Sequence, residues 1–589
     1  MPGTSVGAKM PDGISLQDMM KATSLPTANG DCSGEVAEEA PSVSCKECGN
    51  TSKSARACGG CWQVWYCSKA HQVAAWGKHQ RDCKPWKINK CPELGRYFLA
   101  TRDIAPGELL LSDSPLLIGP KQITEPVCLA CYRPVDGQYR CKKCGFPMCD
   151  ADCQQAEAHE PECEAVSESG MPVKVSLFGQ NNSLYECIMP LRLLSLRDNQ
   201  TSLWRRLMTL ESHDERRSRT ENAAITQRTV VDIIRERLKI DRYDEDLIKK
   251  VLGIIDTNAF EIRLPDSSIQ GVYSQGSMLE HSCIPNTHRT FDADLNLVVR
   301  AAVPIRRGSH LTSCYTEVLA TTAVRQEHLL TSKFFTCHCP RCVDPTELGT
   351  YASALMCPNC PKTSKATKTS AAAAAAKSKL APPTSVVIPT DPLSPSSDWK
   401  CITCSTPVDP DYLVRMTSVM TEEAEELEST NPTIRSCEQF LEKWAPTFYT
   451  NHACLLNIKY ALIHLYGSEE GYELASLAPM QLLRKEALCR QVLAVADCLV
   501  PGVSRLRGSV LYELYQSIFY KTISMFQSNV IPNEIAKKLA KEGYDALVEC
   551  ARVLSYEPEV QPEGQLGIEA KDEIKQMIKW MKEEGWKTA

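Results

Sequence analysis

The sequence predicts an α+β protein of several domains, with small metal-bound modules around a β-rich core and a helical region after it. Many of the 30 cysteines form Cys-x-x-Cys pairs with histidines nearby, which is the spacing of zinc ligands. Short strand-like segments come before residue 408, and apolar residues recur at helical spacing after it. A chain of 589 residues is also too long for a single hydrophobic core, so we expect three or more units.

Bulk composition excludes several classes of protein. The formal net charge of -6 does not favour direct binding of nucleic acid or of a membrane surface. No apolar run is long enough to span a membrane, and the first residues lack a secretory signal. We therefore expect an intracellular protein of the nucleus, the cytoplasm or both, with reduced thiols. This argues against a secreted disulfide protein.

The first cysteine-rich module is predicted over residues 44–86, after a disordered tail over residues 1–43. It contains eight ligands in four pairs, enough for two tetrahedral zinc sites. A module this small has little apolar core, so metal binding would supply its folding energy. The predicted ligands are Cys45, Cys48, Cys58, Cys61, Cys67, His71, His79 and Cys83.

A second module with nearly the same spacing is predicted over residues 127–164, after two strands over 92–126 joined by the turn Ala105-Pro106-Gly107. Four Cys or His ligands leave zinc no open position, so both modules are predicted to be structural and not catalytic. Neither module has the spacing of DNA-reading zinc fingers, and no basic recognition helix follows either one. The predicted ligands are Cys128, Cys131, Cys141, Cys144, Cys149, Cys153, His159 and Cys163.

The rest of the chain alternates between helix and strand patterns. We predict a helical insert over 170–255, core strands over 256–318 and a helical domain over 408–589. Residues 330–405 form a third cysteine region, interrupted by a flexible, low-complexity insertion over 362–398. Its predicted ligands are Cys337, Cys339, Cys342, Cys357, Cys360, Cys401 and Cys404.

Three motifs resemble those of SET-domain protein methyltransferases, in the same order. EHSCIPN (280–286) resembles Asn-His-Ser-Cys-x-Pro-Asn, GSHLTSCYTE (308–317) resembles the segment Gly-Glu-Glu-Leu-x-x-x-Tyr, and the cysteines at 337–342 resemble the post-SET zinc motif. Both Cys/His modules resemble the MYND finger. A MYND finger inserted after the opening SET strands is the hallmark of the SET and MYND domain (SMYD) family. The additional N-terminal finger makes the chain most similar to the arthropod SmydA branch.

The resemblance to the MYND finger implies an interleaved set of ligands. Cys45, Cys48, Cys67 and His71 would bind one ion, although the family usually has Cys where His71 stands. The partner set would be Cys58, Cys61, His79 and Cys83. MYND fingers bind short proline-containing peptides, and a groove for them would lie among Trp62, Trp65 and Trp76. Packing around the zinc is the interpretation that we favour for these tryptophans.

The resemblance to the SET domain implies a protein-lysine methyltransferase that uses S-adenosylmethionine and acts on a protein lysine. Tyr315 would be the catalytic tyrosine, and Phe260 would line the channel for the substrate lysine. Cys283 would be the fourth ligand of the post-SET zinc. The cofactor contacts would be Gly95, Asn258, Glu280, His281 and Phe335.

Two departures from the SET motifs leave a second interpretation open. Tyr97 stands where the opening motif has its second glycine, which lets the backbone approach the cofactor. Glu280 replaces an asparagine, and a carboxylate cannot donate the hydrogen bonds of an amide. The alternative function is a catalytically degenerate SET/MYND zinc scaffold that acts as an adaptor in transcriptional regulation. The C-terminal helices resemble the SMYD superhelical region beside the substrate cleft, or form an ordinary helical domain without a binding role.

Overall fold

The computed structural model describes residues 43–52, 55–58, 64–80, 83–360, 380, 383 and 385–586. The predictions for the tail over 1–42, for Cys61 and for Trp62 lie outside the described residues. So do those for most of the insertion between 361 and 384.

The N-terminal module consists of two short hairpins and one helix. Strand Val43–Ser44 pairs with Thr51–Ser52, and strand Arg56–Ala57 pairs with Trp65–Tyr66. Helix Lys69–His79 follows. The apolar cluster of this module is small and consists largely of the cysteines themselves, so hydrophobic packing alone gives it little stability.

The β core is built from several small antiparallel sheets and one parallel bridge. The parallel bridge joins Glu280–His281 to Thr312–Ser313, two segments that are far apart in the sequence. A buried cluster that includes Trp86, Phe98 and Tyr273 fills the space between the sheets. The antiparallel sheets pair Trp86–Cys91 with Gly95–Ala100; Ala259–Arg263 with Ser268–Val272 and Leu117–Pro120; and Thr287–Phe291 with Leu297–Ala301 and Leu109–Asp113.

The second cysteine-rich module and a helical insert share one continuous core. The module contains strands Tyr139–Arg140 and Pro147–Met148 and helices Ala151–Gln155 and Glu160–Glu168. The insert is helical, as its apolar spacing predicts, but two π-helical turns interrupt it. Its elements are Ile188–Asn199, Thr201–Leu207, Asp214–Arg217, Glu221–Thr226, the π-turns Gln227–Val231 and Ile233–Arg237, and Glu245–Asn258.

The third cysteine region contains more regular structure than the sequence indicates. Two helices, Thr322–Ser332 and Pro340–Val343, precede a sheet of strands in the order Leu355–Met356, Val386–Pro389, Trp399–Cys401 and Pro407–Val408. The prediction of a flexible insertion over 362–398 is therefore wrong at its C-terminal end. There the β-branched Val386, Val387 and Ile388 form a central strand, with both valines fully buried.

The chain from residue 410 onward is helical, in agreement with the predicted α+β class with a helical C-terminal region. None of the helices in the described residues is long and apolar enough to cross a lipid bilayer. The helices are Pro410–Ser429, Ile434–Trp444, Ala453–Ser468, Pro479–Leu499, Arg505–Gln527, Asn533–Leu554 and Pro562–Glu583.

The helical region contacts the β core through both backbone and charged groups. The N–H of Val503 donates to the carbonyl oxygen of Ala302 at 2.9 Å. The preceding Gly502 has a φ of +77°, and a Cβ there would collide with the same carbonyl, so glycine is required at this contact. On strand Thr287–Phe291, Nε2 of His288 lies 2.7 Å from the carboxylate of Glu557.

Candidate functional site

The framework of the candidate site is the parallel bridge between 280–281 and 312–313. Asn286 holds the two segments together, because its Oδ1 accepts from the N–H of Thr312 at 2.8 Å. Its Nδ2 donates to the carbonyl of His310 at 2.7 Å. The bridge thus places the segment of His281 beside the segment of Tyr315.

The imidazole of His281 links Tyr315 to Cys283. Its Nδ1 accepts a hydrogen bond from the backbone N–H of Tyr315 at 3.0 Å, which assigns the ring proton to Nε2. Nε2 lies 3.2 Å from Sγ of Cys283 and donates to it. Burial lowers the pKa of His281 to about 4, so the ring is neutral. The Tyr315 hydroxyl donates to the carbonyl of Leu279.

Phe335 and Asn258 belong to distant segments of the sequence that meet in the same region of the core. The Phe335 ring lies 5.9 Å from the His281 ring. Nζ of Lys333 donates to the carbonyls of Asp256 and Thr257, each at 2.8 Å, and so ties the Phe335 segment to the C-terminal end of helix Glu245–Asn258.

Two more predicted residues lie on this side of the core. The side-chain amide nitrogen of Asn258 donates to the carbonyls of Glu211 and Ile254. Both N–H groups of this amide are therefore bonded to the backbone. Phe260 is buried on the adjoining strand.

The two departures from the SET motifs meet at one histidine. The Tyr97 ring stacks on His310 with centroids 4.5 Å apart. Nδ1 of His310 lies 2.7 Å from Oε2 of Glu280, and Nδ2 of Asn89 donates to the Tyr97 hydroxyl. His310 itself occupies the position of the second glutamate in Gly-Glu-Glu-Leu. At His310 a base replaces the acid of the motif, and at Glu280 an acid replaces the amide. The two replacements therefore complement each other. Gly95, with a φ of +66°, begins the strand that carries Tyr97.

Five groups of four Cys or His side chains converge with donor atoms within 4.8 Å of one another. Sulfur–sulfur distances such as 3.7 Å for Cys48–Cys67 and 3.5 Å for Cys283–Cys342 are too long for disulfides, in which the sulfurs lie about 2 Å apart. They match the edge of a tetrahedron with zinc–sulfur bonds of about 2.3 Å, which is about 3.8 Å. The groups are Cys45/Cys48/Cys67/His71, Cys128/Cys131/Cys149/Cys153, Cys141/Cys144/His159/Cys163, Cys283/Cys337/Cys339/Cys342 and Cys357/Cys360/Cys401/Cys404.

One predicted zinc site is described only in part. Sγ of Cys58 lies 3.8 Å from Sγ of Cys83, and the ring of His79 is buried nearby. The fourth predicted ligand, Cys61, lies outside the described residues.

The local sequence explains how two of these groups acquire their spacing. In each case a capping residue follows a cysteine and begins a helix. The Ser68 hydroxyl accepts from the N–H of His71, and Oδ1 of Asp150 accepts from the N–H of Cys153. The helix then brings the ligand pair at i and i+4 onto one face.

Comparison with protein families agrees with this geometry. Residues 45–83 match the family model of the MYND finger, and residues 95–316 match that of the SET domain. The chain thus contains one segment that matches the MYND finger and one that matches the SET domain. The second Cys/His module lies inside the SET match, as expected for an inserted finger.

Proteins of known sequence that resemble the chain include a SET domain-containing protein and a lysine methyltransferase. SET domain-containing protein SmydA-8, isoform A, of Drosophila melanogaster is 28% identical over 339 residues, which is 56% of this chain and 66% of that protein. N-lysine methyltransferase SMYD2-B of Xenopus laevis is 26% identical over 273 residues, covering 44% of this chain and 61% of the relative. The chain thus spans slightly less than two thirds of each of these two relatives.

One solved structure is a distant match. The SET domain of LSMT bound to lysine and AdoHcy is 13% identical, covers 75% of this chain and 91% of that chain, and has a TM-score of 0.26. A likeness at this level carries no argument about the site.

The second cysteine-rich module is linked to the helical insert by a buried ion pair that sequence reasoning missed. Nδ1 of His159 lies 2.9 Å from Glu162, whose carboxylate receives two 2.7 Å hydrogen bonds from Arg192. A carboxylate behind a ligating histidine fixes its tautomer and orientation. The sequence signal for Glu162 was its position three residues after His159, whereas nothing local pointed to Arg192.

The post-SET cysteines have a comparable outer layer, also missed. Nε of Arg325 donates to Sγ of Cys283 at 3.3 Å, and its Nη1 pairs with Glu347 at 3.0 Å. Arg341 pairs with the same carboxylate at 2.9 Å. These three charged side chains are almost completely buried, so guanidinium groups face a site that four thiolates would make negative.

Proposed function

We propose that this chain is a protein-lysine methyltransferase that uses S-adenosylmethionine. The observation that carries the proposal is the position of His281, whose imidazole bonds both Cys283 and the backbone of Tyr315 while Phe335 packs beside it. This arrangement brings the tyrosine, Cys283 and an aromatic ring close together. The name of the SMYD2 relative, an N-lysine methyltransferase, supports the same reaction class.

The residues around the cleft suit a sulfonium methyl donor with an ammonium group. Oε1 of Glu280 makes no hydrogen bond within the described chain, since His310 engages only Oε2, so it can accept from that ammonium. Gly95 gives backbone access, while Phe335 and His281 would cover the donor. When bound, S-adenosylmethionine supplies the electrophilic methyl group.

The phenol of Tyr315 positions the reacting amine and is not its base. Burial raises the pKa of Tyr315 above its ordinary value, so the hydroxyl stays protonated at neutral pH. Lysine must lose its proton before it attacks, and a desolvated channel beside Phe260 favours the neutral amine. Holding amine and methyl donor in line would supply much of the rate.

Zinc would have a structural role at every one of these sites. Each described group offers four thiolate or imidazole donors, which leaves no open position for a substrate. The MYND fingers are proposed to contact protein partners through proline-containing peptides. Trp76, 44% exposed on the first finger, is the described tryptophan best placed for such a contact.

Calorimetric titration of the zinc-loaded chain with S-adenosylmethionine tests whether the chain binds the methyl donor. Transfer of labelled methyl groups to a peptide library with one central lysine tests whether it methylates lysine. The same library with arginine at that position is the control. We expect micromolar binding and label on lysine peptides only. A folded, zinc-loaded chain that shows no binding at millimolar donor would refute the proposal.

A second candidate, the catalytically degenerate SET/MYND adaptor, is favoured by a specific observation. The Tyr97 ring is 7% exposed and stacks on His310 beside Gly95, where the SET motif has a glycine instead of a ring. The titration with S-adenosylmethionine separates the two candidates. Restoration of donor binding by Tyr97→Gly would show that this ring is what blocks the site.

A further inference from the structure

The guanidinium of Arg289 lies against the aromatic ring that is proposed to line the lysine channel. Arg289 is in the middle of strand Thr287–Phe291, and its Cζ lies 5.4 Å from the centroid of Phe260. It is also close enough to Tyr315 to act on the phenol electrostatically. A cation within about 6 Å of an aromatic face is attracted by the ring, and a substrate ammonium would be attracted in the same way.

Arg289, which is half-buried, differs in its partners from the fully buried arginines of the chain. It makes one hydrogen bond, 3.4 Å long, to the Ser313 hydroxyl, and no carboxylate of the described residues lies within 4.0 Å of it. The carboxylate of Glu317 acts on it only at longer range. By contrast, carboxylates lie within 3.0 Å of Arg192, Arg325 and Arg341.

Stability of the fold does not explain this charge. Burial lowers the pKa of the Arg289 guanidinium, which means that its environment disfavours the charged form. A partly desolvated charge without a close counter-charge is costly, and an apolar side chain of similar size would pack on Phe260 without that cost. A role in the lysine channel accounts for the guanidinium, whereas packing alone does not.

We propose that Arg289 is an internal pseudosubstrate, whose guanidinium occupies the amine end of the lysine channel and competes with the substrate for the face of Phe260. The inference rests on the proposed function, since the channel is defined by it. The single long hydrogen bond to Ser313 holds Arg289 weakly, so the side chain can be displaced. The resting chain is therefore slow on simple lysine peptides.

The first test measures access to the channel without any methyl donor. n-Butylammonium, which reproduces the end of a lysine side chain, is titrated into the full zinc-loaded chain and followed by ligand-observed NMR. Arg289→Leu should bind it at least tenfold more tightly than the natural sequence, and Arg289→Lys should not. Equal affinity in the natural sequence and the leucine variant overturns the proposal.

Arg300→Leu is the matched control. Arg300 lies on the neighbouring strand opposite His288, one position out of register with Arg289, and its guanidinium contacts the Tyr556 ring instead. Its removal should leave butylammonium affinity unchanged. An equal gain in this control would assign the effect to net charge and overturn the proposal. If Arg289→Leu fails to fold, as judged by zinc content, Arg289→Gln replaces it.

The second test distinguishes failure of this inference from failure of the proposed function. With S-adenosylmethionine at saturation, Arg289→Leu should raise kcat/KM on lysine peptides at least tenfold and leave donor affinity unchanged. If both proteins bind the donor and have equal kcat/KM, the pseudosubstrate proposal is overturned. Absence of donor binding in both overturns the methyltransferase, and the butylammonium comparison still decides the role of Arg289.

Discussion

The backbone N–H of Tyr315 donates to Nδ1 of His281, so the tyrosine predicted to be catalytic is held by a side chain of the opposite segment at 3.0 Å. The other ring nitrogen bonds Sγ of Cys283, one of the post-SET thiols. Metal binding and tyrosine placement are thereby coupled through one imidazole.

Loss of the His281 ring should displace Tyr315. His281→Ala leaves a half-buried N–H without its acceptor, which costs about 1–3 kcal/mol of unfolding free energy. We expect kcat to fall about 10–100-fold, because misplacement of a reacting geometry is expensive. His281→Asn keeps an acceptor near Nδ1 and should recover part of kcat. His328→Ala, on the surface of helix Thr322–Ser332, is the control, and an equal loss there would contradict the coupling.

Tyr315→Phe should separate catalysis from binding. The hydroxyl donates to the Leu279 carbonyl and is not one of the proposed donor contacts. We therefore expect turnover to fall about 10–100-fold while the calorimetric Kd for S-adenosylmethionine stays within about twofold. An unchanged kcat would remove Tyr315 from the catalytic site.

Glu162→Gln should weaken the second cysteine-rich module. The carboxylate orients the ligand His159 and neutralises the buried Arg192, so its loss should lower zinc affinity about 10–100-fold and destabilise the chain by about 3–5 kcal/mol. Competition with a chromogenic chelator and urea unfolding measure the two effects. Glu160→Gln, exposed on the same helix, should behave like the natural sequence.

Metal analysis should return six zinc ions per chain in reduced protein, five in the described groups and one that includes Cys61. Cys342→Ala should lose one ion and, with it, the order of the cleft around Cys283. Cys454→Ala, which removes a thiol of the helical region outside these groups, should keep all six. A count well below five would contradict the whole metal assignment.

Contact between the helical region and the β core should depend on pH through Glu557. Burial raises the pKa of this carboxyl, but the hydrogen bond from His288 and the charge of Arg505 outweigh burial and bring it to about 2. Because the folded pKa is depressed, the stabilisation is complete above the ordinary carboxyl pKa near 4.5 and is lost as pH falls towards 2. Its size is about 3 kcal/mol.

Urea unfolding of the natural sequence and of Glu557→Gln checks this. The difference in unfolding free energy should be constant between pH 7 and 5 and should shrink only below about 4.5. Release of metal in acid affects both proteins alike and cancels in the difference. A difference that instead changes between pH 5 and 7 would contradict this assignment.

Sequence reasoning predicted those features that local spacing encodes. The ligand pairs of the fingers follow from caps and helical turns over a few residues, as at Ser68 and His71. The partnership of Glu162 with Arg192 spans 30 residues and two elements, so no pattern in the chain indicated it. The same holds for His310, which contacts both Tyr97 and Glu280. These contacts depend on the parallel bridge, which brings the segment of His310 beside that of Glu280.

The distance along the chain between Cys283 and Cys342, 59 residues, sets an order of events during synthesis. At about 5–20 residues per second, the first thiol waits roughly 3–12 s before the second is made. Until then the wall of the cleft that carries Tyr315 has no metal to close it. A nascent chain halted in this interval therefore carries the Cys283 thiol without the cysteines that complete its group.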